Sequence, residues 1–124
     1  MATILIADDD RNLAELLKTA LEVDGHKVYV ANDGTTGLDK IEKYHPDLCI
    51  LDVMMPGMEG YDVAYLSKID RAYKPKVIII SAKSKDFDKQ MGRAMGADAY
   101  LSKPFEMDVL KLKVRELLAP KKVK

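Results

Sequence analysis

Apolar residues occur along the chain in two alternating patterns. Short continuous apolar runs predict buried strands, whereas apolar residues three and four positions apart predict helices. The predicted strands cover residues 3–7, 28–31, 48–51, 77–80 and 99–101. A helical pattern follows each strand, so strands and helices alternate from one end of the chain to the other. This order predicts an α/β fold in which right-handed crossovers place helices on both faces of a parallel sheet.

Each of the five predicted helices has its own set of apolar residues. The sets are Leu13, Leu16, Leu17, Ala20 and Leu21; Leu38 and Ile41; Tyr61, Ala64, Tyr65 and Ile69 within 58–69; Phe87, Met91, Ala94 and Met95; and Met107, Leu110, Val114, Leu117 and Leu118. Asp10 is a suitable N-cap for the first helix, and Gly25 is well placed to end it. Gly96 closes the fourth in the same way, and His45-Pro46 ends the second.

Composition limits the class of protein. With 124 residues, the chain is long enough for one domain with a buried core. We place the domain at residues 1–119 and treat 120–124 as a polar tail or linker stub. Twenty basic residues balance twenty acidic ones, so net charge does not favour nucleic acid, a membrane surface or an acidic substrate. There is no apolar run of about 18 residues and no signal peptide, so we expect a cytoplasmic protein.

Three residues that often carry chemistry are better explained by packing or exposure. Cys49 is the single cysteine and lies inside an apolar run, which favours a core residue over a nucleophile or a ligand. His26 and His45 lie in predicted connections, far along the chain from any cluster of metal ligands. We therefore expect them at the surface.

Polar residues follow four of the predicted strands. Asp8 and Asp9 follow the first, Asp52 the third, Ser81 the fourth and Lys103 the fifth. The carboxyl ends of parallel strands share one edge of the sheet, where such folds bind ligands. Carboxylates brought together there repel one another, and Mg²⁺ suits a small cluster of this kind. A cation, a hydroxyl and a metal around one carboxylate can receive a phosphoryl group, and the carboxylate can act as the nucleophile.

Four separated motifs resemble those of a known family. They are residues 4–10 (ILIADDD), 51–60 (LDVMMPGMEG), 80–82 (ISA) and 100–105 (YLSKPF). In order and spacing they resemble the receiver domain of two-component response regulators, over essentially the whole chain. The resemblance implies a flavodoxin-like, doubly wound (βα)5 fold with strand order 2-1-3-4-5.

The resemblance also implies a metal-dependent reaction. Asp52 would be the phosphoacceptor, taking a phosphoryl group from a phosphohistidine on a sensor histidine kinase or a phosphotransfer protein. Asp9, Asp52 and the backbone carbonyl of Met54 would ligate Mg²⁺ directly, and Asp8 would hold it through water. The protein would change only its own phosphorylation state, so it would not be an enzyme in the usual sense.

Further residues take roles from the same resemblance. Lys103 would pair with the phosphoryl oxygens, and Ser81 would donate a hydrogen bond to one of them. The Lys103-Pro104 peptide bond would be cis, which would direct Lys103 into the site. Tyr100 would be the switch aromatic that turns inward as Ser81 moves. The residues two past Asp52 and two past Ser81 influence phosphoryl lifetime in the family; here they are Met54 and Lys83. We expect bulky Met54 to screen the acyl phosphate from water.

The resemblance indicates how the signal leaves the domain. The face formed by the fourth predicted helix, the fifth strand and the last helix would contact a downstream protein; it includes parts of 85–96, 100–102 and 107–118. There is no segment that would read DNA. The protein would be a monomer or a phosphorylation-dependent dimer. We favour a free-standing receiver over one separated from a longer regulator.

Two other functions fit part of the pattern. Asp8-Asp9-Asp10 reads as the Asp-x-Asp of haloacid-dehalogenase-type phosphatases. However, Arg11 replaces their usual small residue, no late acidic pair ends a fourth strand, and the chain is short. A flavodoxin-like electron carrier would need a Ser/Thr-rich phosphate loop where this chain has three acids. We therefore keep the phosphatase as the alternative and set the electron carrier aside.

Overall fold

The computed structural model describes residues 1–70, 72–82 and 95–119. It contains a five-stranded parallel sheet with strand order 2-1-3-4-5, as the resemblance implies. The strands are β1 Thr3–Ala7, β2 Lys27–Ala31, β3 Leu48–Asp52, β4 Lys76–Ser81 and β5 Ala99–Ser102. The helices within the described residues are α1 Arg11–Val23, α2 Gly34–Tyr44, α3 Gly60–Ser67 and the C-terminal helix Met107–Leu118. None of them has the length and apolarity needed to cross a membrane.

Alternate residues of each strand face two separate hydrophobic clusters. Ile4, Ile6, Leu48 and Ile50 face one cluster with residues of α1 and the C-terminal helix. Leu5, Cys49 and Leu51 face the other, with residues of α2 and α3. Side chains alternate across a strand, so both faces of β1, β3 and β4 must be apolar, as their continuous apolar sequences predicted. Cys49 is fully buried, which raises the pKa of its thiol and confirms its place in the core.

The helix ends agree with the sequence patterns in α1 and differ from them in α3. The Asp10 side chain accepts hydrogen bonds from the backbone of Asn12 and Leu13, which confirms the predicted N-cap. The third helix, expected over 58–69, spans Gly60–Ser67. Glu59 is extended and Lys68 ends the helix. The prediction therefore placed the start of the helix two residues too early and its end two residues too late.

The apolar residues that indicated α3 are not all buried. Tyr65 and Ile69 are more than half exposed, whereas Tyr61, Val63 and Ala64 are buried. The buried face of α3 therefore includes Tyr61 and Ala64 of the predicted set but not Tyr65 or Ile69. Except for Met95, which lies in a turn, the residues assigned to the fourth predicted helix fall outside the described part of the chain.

Asp98 connects the start of β5 to β4 and α3. Its backbone N–H donates to the Val77 carbonyl, and its carboxylate accepts from the Val77 N–H at 2.8 Å. The same carboxylate oxygen forms an ion pair with Lys68, at the end of α3. These contacts fix the beginning of the strand that leads to Tyr100 and Lys103.

We expect Asp98→Ala to lower the free energy of unfolding by about 2 kcal/mol, because it leaves the Val77 N–H and the Lys68 ammonium without their acceptor. Asp98→Asn is the matched control, since its amide oxygen still accepts from Val77 and only the charge is lost. Urea unfolding of both variants measures the difference. Equal losses in the two variants would contradict the role of the Val77 hydrogen bond.

Candidate functional site

The carboxyl ends of β1 and β3 bring three acids together. One oxygen each of Asp8, Asp9 and Asp52 lie within 4.8 Å of one another. Asp8 and Asp52 are buried, and Asp9 is exposed. β1 and β3 are adjacent strands, and Ala7 pairs with Leu51. The residues that follow this pair, Asp8 and Asp52, therefore lie side by side. The parallel register therefore creates the cluster that the strand ends predicted.

The two oxygens of the Asp8 carboxylate have different partners. Oδ1 accepts a hydrogen bond from the Asp10 N–H at 2.9 Å. Oδ2 is buried and accepts no hydrogen bond from the described residues, although Lys103 Nζ forms an ion pair with it at 3.0 Å. A buried carboxylate oxygen without a directed donor is costly, so this atom favours a cationic partner.

Lys103 lies between the two buried acids. Its Nζ is 3.0 Å from Asp8 Oδ2 and 3.5 Å from Asp52 Oδ1. Burial works against the charge of the ammonium group. The contact with Asp8 and the negative charges of Asp8 and Asp52 outweigh burial, so the Lys103 pKa is raised above its ordinary value. The lysine therefore stays positively charged beside the cluster.

The surroundings of Asp52 disfavour its negative charge and raise its pKa. Burial is the largest cause and the charge of Asp8 the next, and together they raise the pKa of Asp52 to about 6. Lys103 lowers it and Asp9 raises it further. One lysine therefore does not neutralise three carboxylates, and the site has an excess of negative charge near neutral pH.

These features fit a hard divalent cation. Mg²⁺ binds carboxylate and carbonyl oxygens and keeps part of its water shell, which suits a cluster open to solvent at Asp9. Asp8, Asp9 and Asp52 would supply the carboxylate oxygens. Met54, whose carbonyl the family resemblance adds, lies two residues beyond β3, and its side chain is more than half exposed.

The other predicted site residues lie on β4 and β5. Ser81 is buried at the end of β4, one position beyond Ile80, the register partner of Asp52. Its carbonyl accepts from the Lys103 N–H at 2.7 Å, which connects the two strand ends. Tyr100 is half-buried and packs against the core cluster on the α2 and α3 side of the sheet. The Lys103-Pro104 bond is cis, as the resemblance implies. Lys83 lies outside the described residues.

The segment after Asp52 is held by close backbone contacts that the sequence indicated only as a turn. The Gly60 N–H donates to the Val53 carbonyl, and a Cβ at Gly60 would lie 2.2 Å from the Asp52 carbonyl oxygen. The Gly34 N–H donates to the Pro56 carbonyl, and a Cβ at Gly34 would lie 1.9 Å from the Met58 carbonyl oxygen. α2 and α3 therefore both begin against this segment, and glycine is required at both positions.

One residue near the acids was given no role by the sequence. Asn32, just after β2, donates from its side-chain amide to the Asp8 carbonyl oxygen at 3.1 Å. Its position at the end of the strand beside β1 is the signal that could have identified it, because strand ends share one edge of the sheet.

Comparisons with known proteins identify relatives of this chain. The family model described as the response regulator receiver domain matches residues 4–115. A response regulator from Aneurinibacillus migulanus, GtcR, is 43% identical over 103 residues, which are 83% of this chain and 42% of that protein. The chain thus spans about two fifths of that curated relative.

Solved structures of response regulators are also similar to this chain. A putative response regulator from Chloroflexus aurantiacus is 35% identical with a TM-score of 0.89, over 96% of this chain and 98% of that one. The chemotaxis protein CheY4 of Vibrio cholerae is 30% identical with a TM-score of 0.89, over 95% and 99%. These matches support the interpretation of the chain as a receiver domain, and they give no support to the alternative that it is a phosphatase.

Proposed function

The chain belongs to the response regulator receiver domain family, whose members are phosphoacceptor switches of two-component signalling, and we propose that Asp52 is its phosphoacceptor. The donor is a phosphohistidine on a sensor histidine kinase or a phosphotransfer protein. The observation that carries the proposal is the placement of Asp52 beside two further acids and Lys103.

Asp52 acts as the nucleophile in one displacement at phosphorus. A carboxylate oxygen forms the new P–O bond as the P–N bond to the donor histidine breaks, and the histidine nitrogen keeps the bonding pair and later takes up a proton. The high pKa of Asp52 reflects a carboxylate poorly stabilised before reaction. Lys103 can move from the Asp52 oxygen to a phosphoryl oxygen, and the Ser81 hydroxyl can donate to another.

Asp9, Asp52 and the Met54 carbonyl would hold Mg²⁺ directly, and Asp8 through water. When bound, Mg²⁺ neutralises the carboxylates and the charge that develops on the phosphoryl oxygens. The three carboxylate oxygens gathered within 4.8 Å support this assignment. Asp8 has a second task, because its Oδ1 orients the backbone of Asp10.

Phosphorylation would be read through Ser81 and Tyr100. Ser81 would move towards the phosphoryl group and Tyr100 would turn further inward, which shifts an existing equilibrium between two conformations. A downstream protein would then bind the face that includes β5 and the C-terminal helix. We expect the switch to work in the cytoplasm, to change only its own phosphorylation state, and to act as a monomer or a phosphorylation-dependent dimer.

A labelling experiment separates this function from that of a phosphatase. The protein is incubated with acetyl phosphate and Mg²⁺, and bound phosphate per chain is measured by intact-protein mass spectrometry. A switch takes up one phosphoryl group per chain, and excess EDTA prevents the labelling. Rapid turnover of p-nitrophenyl phosphate without a stable labelled form would instead indicate a phosphatase.

We expect Met54→Asn to shorten the lifetime of the phosphorylated form several-fold, because a smaller, polar side chain would screen the acyl phosphate from water less well than Met54. Release of inorganic phosphate after removal of the donor measures the rate. Met58→Asn is the control, since Met58 lies in the same segment but packs against the α2 and α3 core cluster. Unchanged or slower release from Met54→Asn would contradict the screening role.

A further inference from the structure

Asp9 differs from the other two acids because it is exposed, whereas Asp8 and Asp52 are buried. Its side chain nevertheless comes within 4.8 Å of Asp8 and Asp52. An exposed carboxylate that approaches two other carboxylates works against electrostatic repulsion. Something in its backbone must therefore keep it there.

The two peptide units that flank Asp9 are each held by a side chain. The Asp8 carbonyl oxygen, which belongs to the Asp8–Asp9 peptide, accepts from the Asn32 amide at 3.1 Å. The Asp10 N–H, which belongs to the Asp9–Asp10 peptide, donates to Asp8 Oδ1 at 2.9 Å. Because a peptide unit is planar, fixing one atom at each end of Asp9 limits the direction of its Cα–Cβ bond.

We propose that Asn32 is a positioning residue for the cation site, whose amide fixes the Asp8–Asp9 peptide and so directs the Asp9 carboxylate towards Asp8 and Asp52. The inference rests on the proposed Mg²⁺-dependent function and adds a residue that does not touch the cation. The β2 edge of the sheet, which supplies no ligand, thereby contributes to the site.

The hydrogen bond also determines which side-chain atom of Asn32 faces Asp8. A carbonyl oxygen accepts, so the amide nitrogen must point to it. Asp at position 32 has nearly the same size but presents only acceptors, and it would repel the Asp8 carbonyl oxygen. The Asp8 N–H already donates to the Ala31 carbonyl at 3.0 Å, so β1 and β2 stay paired when Asn32 is changed.

The test measures Mg²⁺ affinity of the full chain by isothermal titration calorimetry. We expect Asn32→Ala to bind Mg²⁺ about tenfold more weakly than the wild type, as is typical when a group that orients a metal ligand is lost. Asn32→Asp is also expected to bind more weakly, although its added negative charge alone would tighten cation binding. Asn12→Ala is the matched control, because Asn12 is exposed on α1 and its hydrogen bond to Asp10 is made by its backbone. Its affinity should equal that of the wild type.

A second measurement does not depend on the metal. In the metal-free protein, the amide resonance of Asp9 in a ¹⁵N–¹H NMR spectrum should shift in both Asn32 variants, with the strand resonances of β1 and β2 retained. Wild-type affinity in both variants, tighter binding by Asn32→Asp, or an unmoved Asp9 amide would each overturn the positioning role alone. A wild-type protein that binds no Mg²⁺ would overturn the proposed cation site and the positioning role together.

Discussion

Asp52→Asn is expected to stabilise the metal-free protein by about 1–3 kcal/mol at pH 7.5. Burial and the charge of Asp8 raise the Asp52 pKa from 3.8 to about 6 in the folded protein. An acid with a raised folded-state pKa contributes its full stability below the unfolded value, near pH 4, and loses it as the pH rises through about 6. Above that, the buried charge destabilises the fold, and Asn removes the charge.

The pH dependence identifies the cause. The advantage of Asp52→Asn should be small below pH 4, grow between about pH 4 and 6, and stay constant above, so that at pH 4.5 it is about a third of its value at pH 7.5. Urea unfolding in EDTA at pH 4.5 and 7.5 measures it. Asp39→Asn, at an exposed position of α2, is the control and should stay within about 0.5 kcal/mol of the wild type at both. An equal gain at both pH values, or a loss at pH 7.5, would contradict the electrostatic explanation.

Gly60→Ala is expected to lower the free energy of unfolding by about 3 kcal/mol or more. The added Cβ would lie 2.2 Å from the Asp52 carbonyl oxygen and 3.2 Å from the Val53 Cα. These are backbone atoms at the end of a buried strand, so α3 must move away from β3 to make room. The gain of about 1 kcal/mol that Ala brings to a helix is too small to compensate.

The matched control for this substitution is Gly37→Ala. Gly37 is also buried in a helix, but its added Cβ would meet the Ala7 Cβ at 3.2 Å, a side-chain contact that a small shift relieves. Here the helix-propensity gain offsets the crowding, and the change should stay within about 1 kcal/mol. Urea unfolding of the pair measures both. If the two variants lose similar stability, the close approach of α3 to Asp52 is not the cause.

The sequence predicts where the three acids meet because each acid ends or follows a strand that can be recognised from its apolar residues. Continuous apolar runs mark buried parallel strands, and each run ends at the residue that carries chemistry, such as Asp52 or Ser81. Parallel strands end at one edge of the sheet, so the residues that follow two adjacent strands lie close together. The approach of Asp8 to Asp52 follows from the pairing of β1 with β3, whereas Lys103 follows β5, which pairs with neither strand, and reaches both acids with its long side chain.

The parts that the sequence did not predict depend on close backbone contacts. Apolar spacing extended α3 to Ile69, but Lys68 already ends the helix and pairs with Asp98. The hydrogen bond of Asn32 to the Asp8 carbonyl follows no periodicity, because it depends on where one side chain points after a strand. The near-contact of Gly60 with the Asp52 carbonyl likewise requires the distance between two backbones.

The most direct test of the central claim is to locate the phosphoryl group. The protein is treated with acetyl phosphate and Mg²⁺, the acyl phosphate is reduced with borohydride, and the modified residue is identified by peptide mass spectrometry. We predict a single modification at Asp52 that is absent without Mg²⁺. Modification at Asp8 or Asp9 instead, or none in a folded protein supplied with metal, would contradict the assignment of Asp52 as the phosphoacceptor.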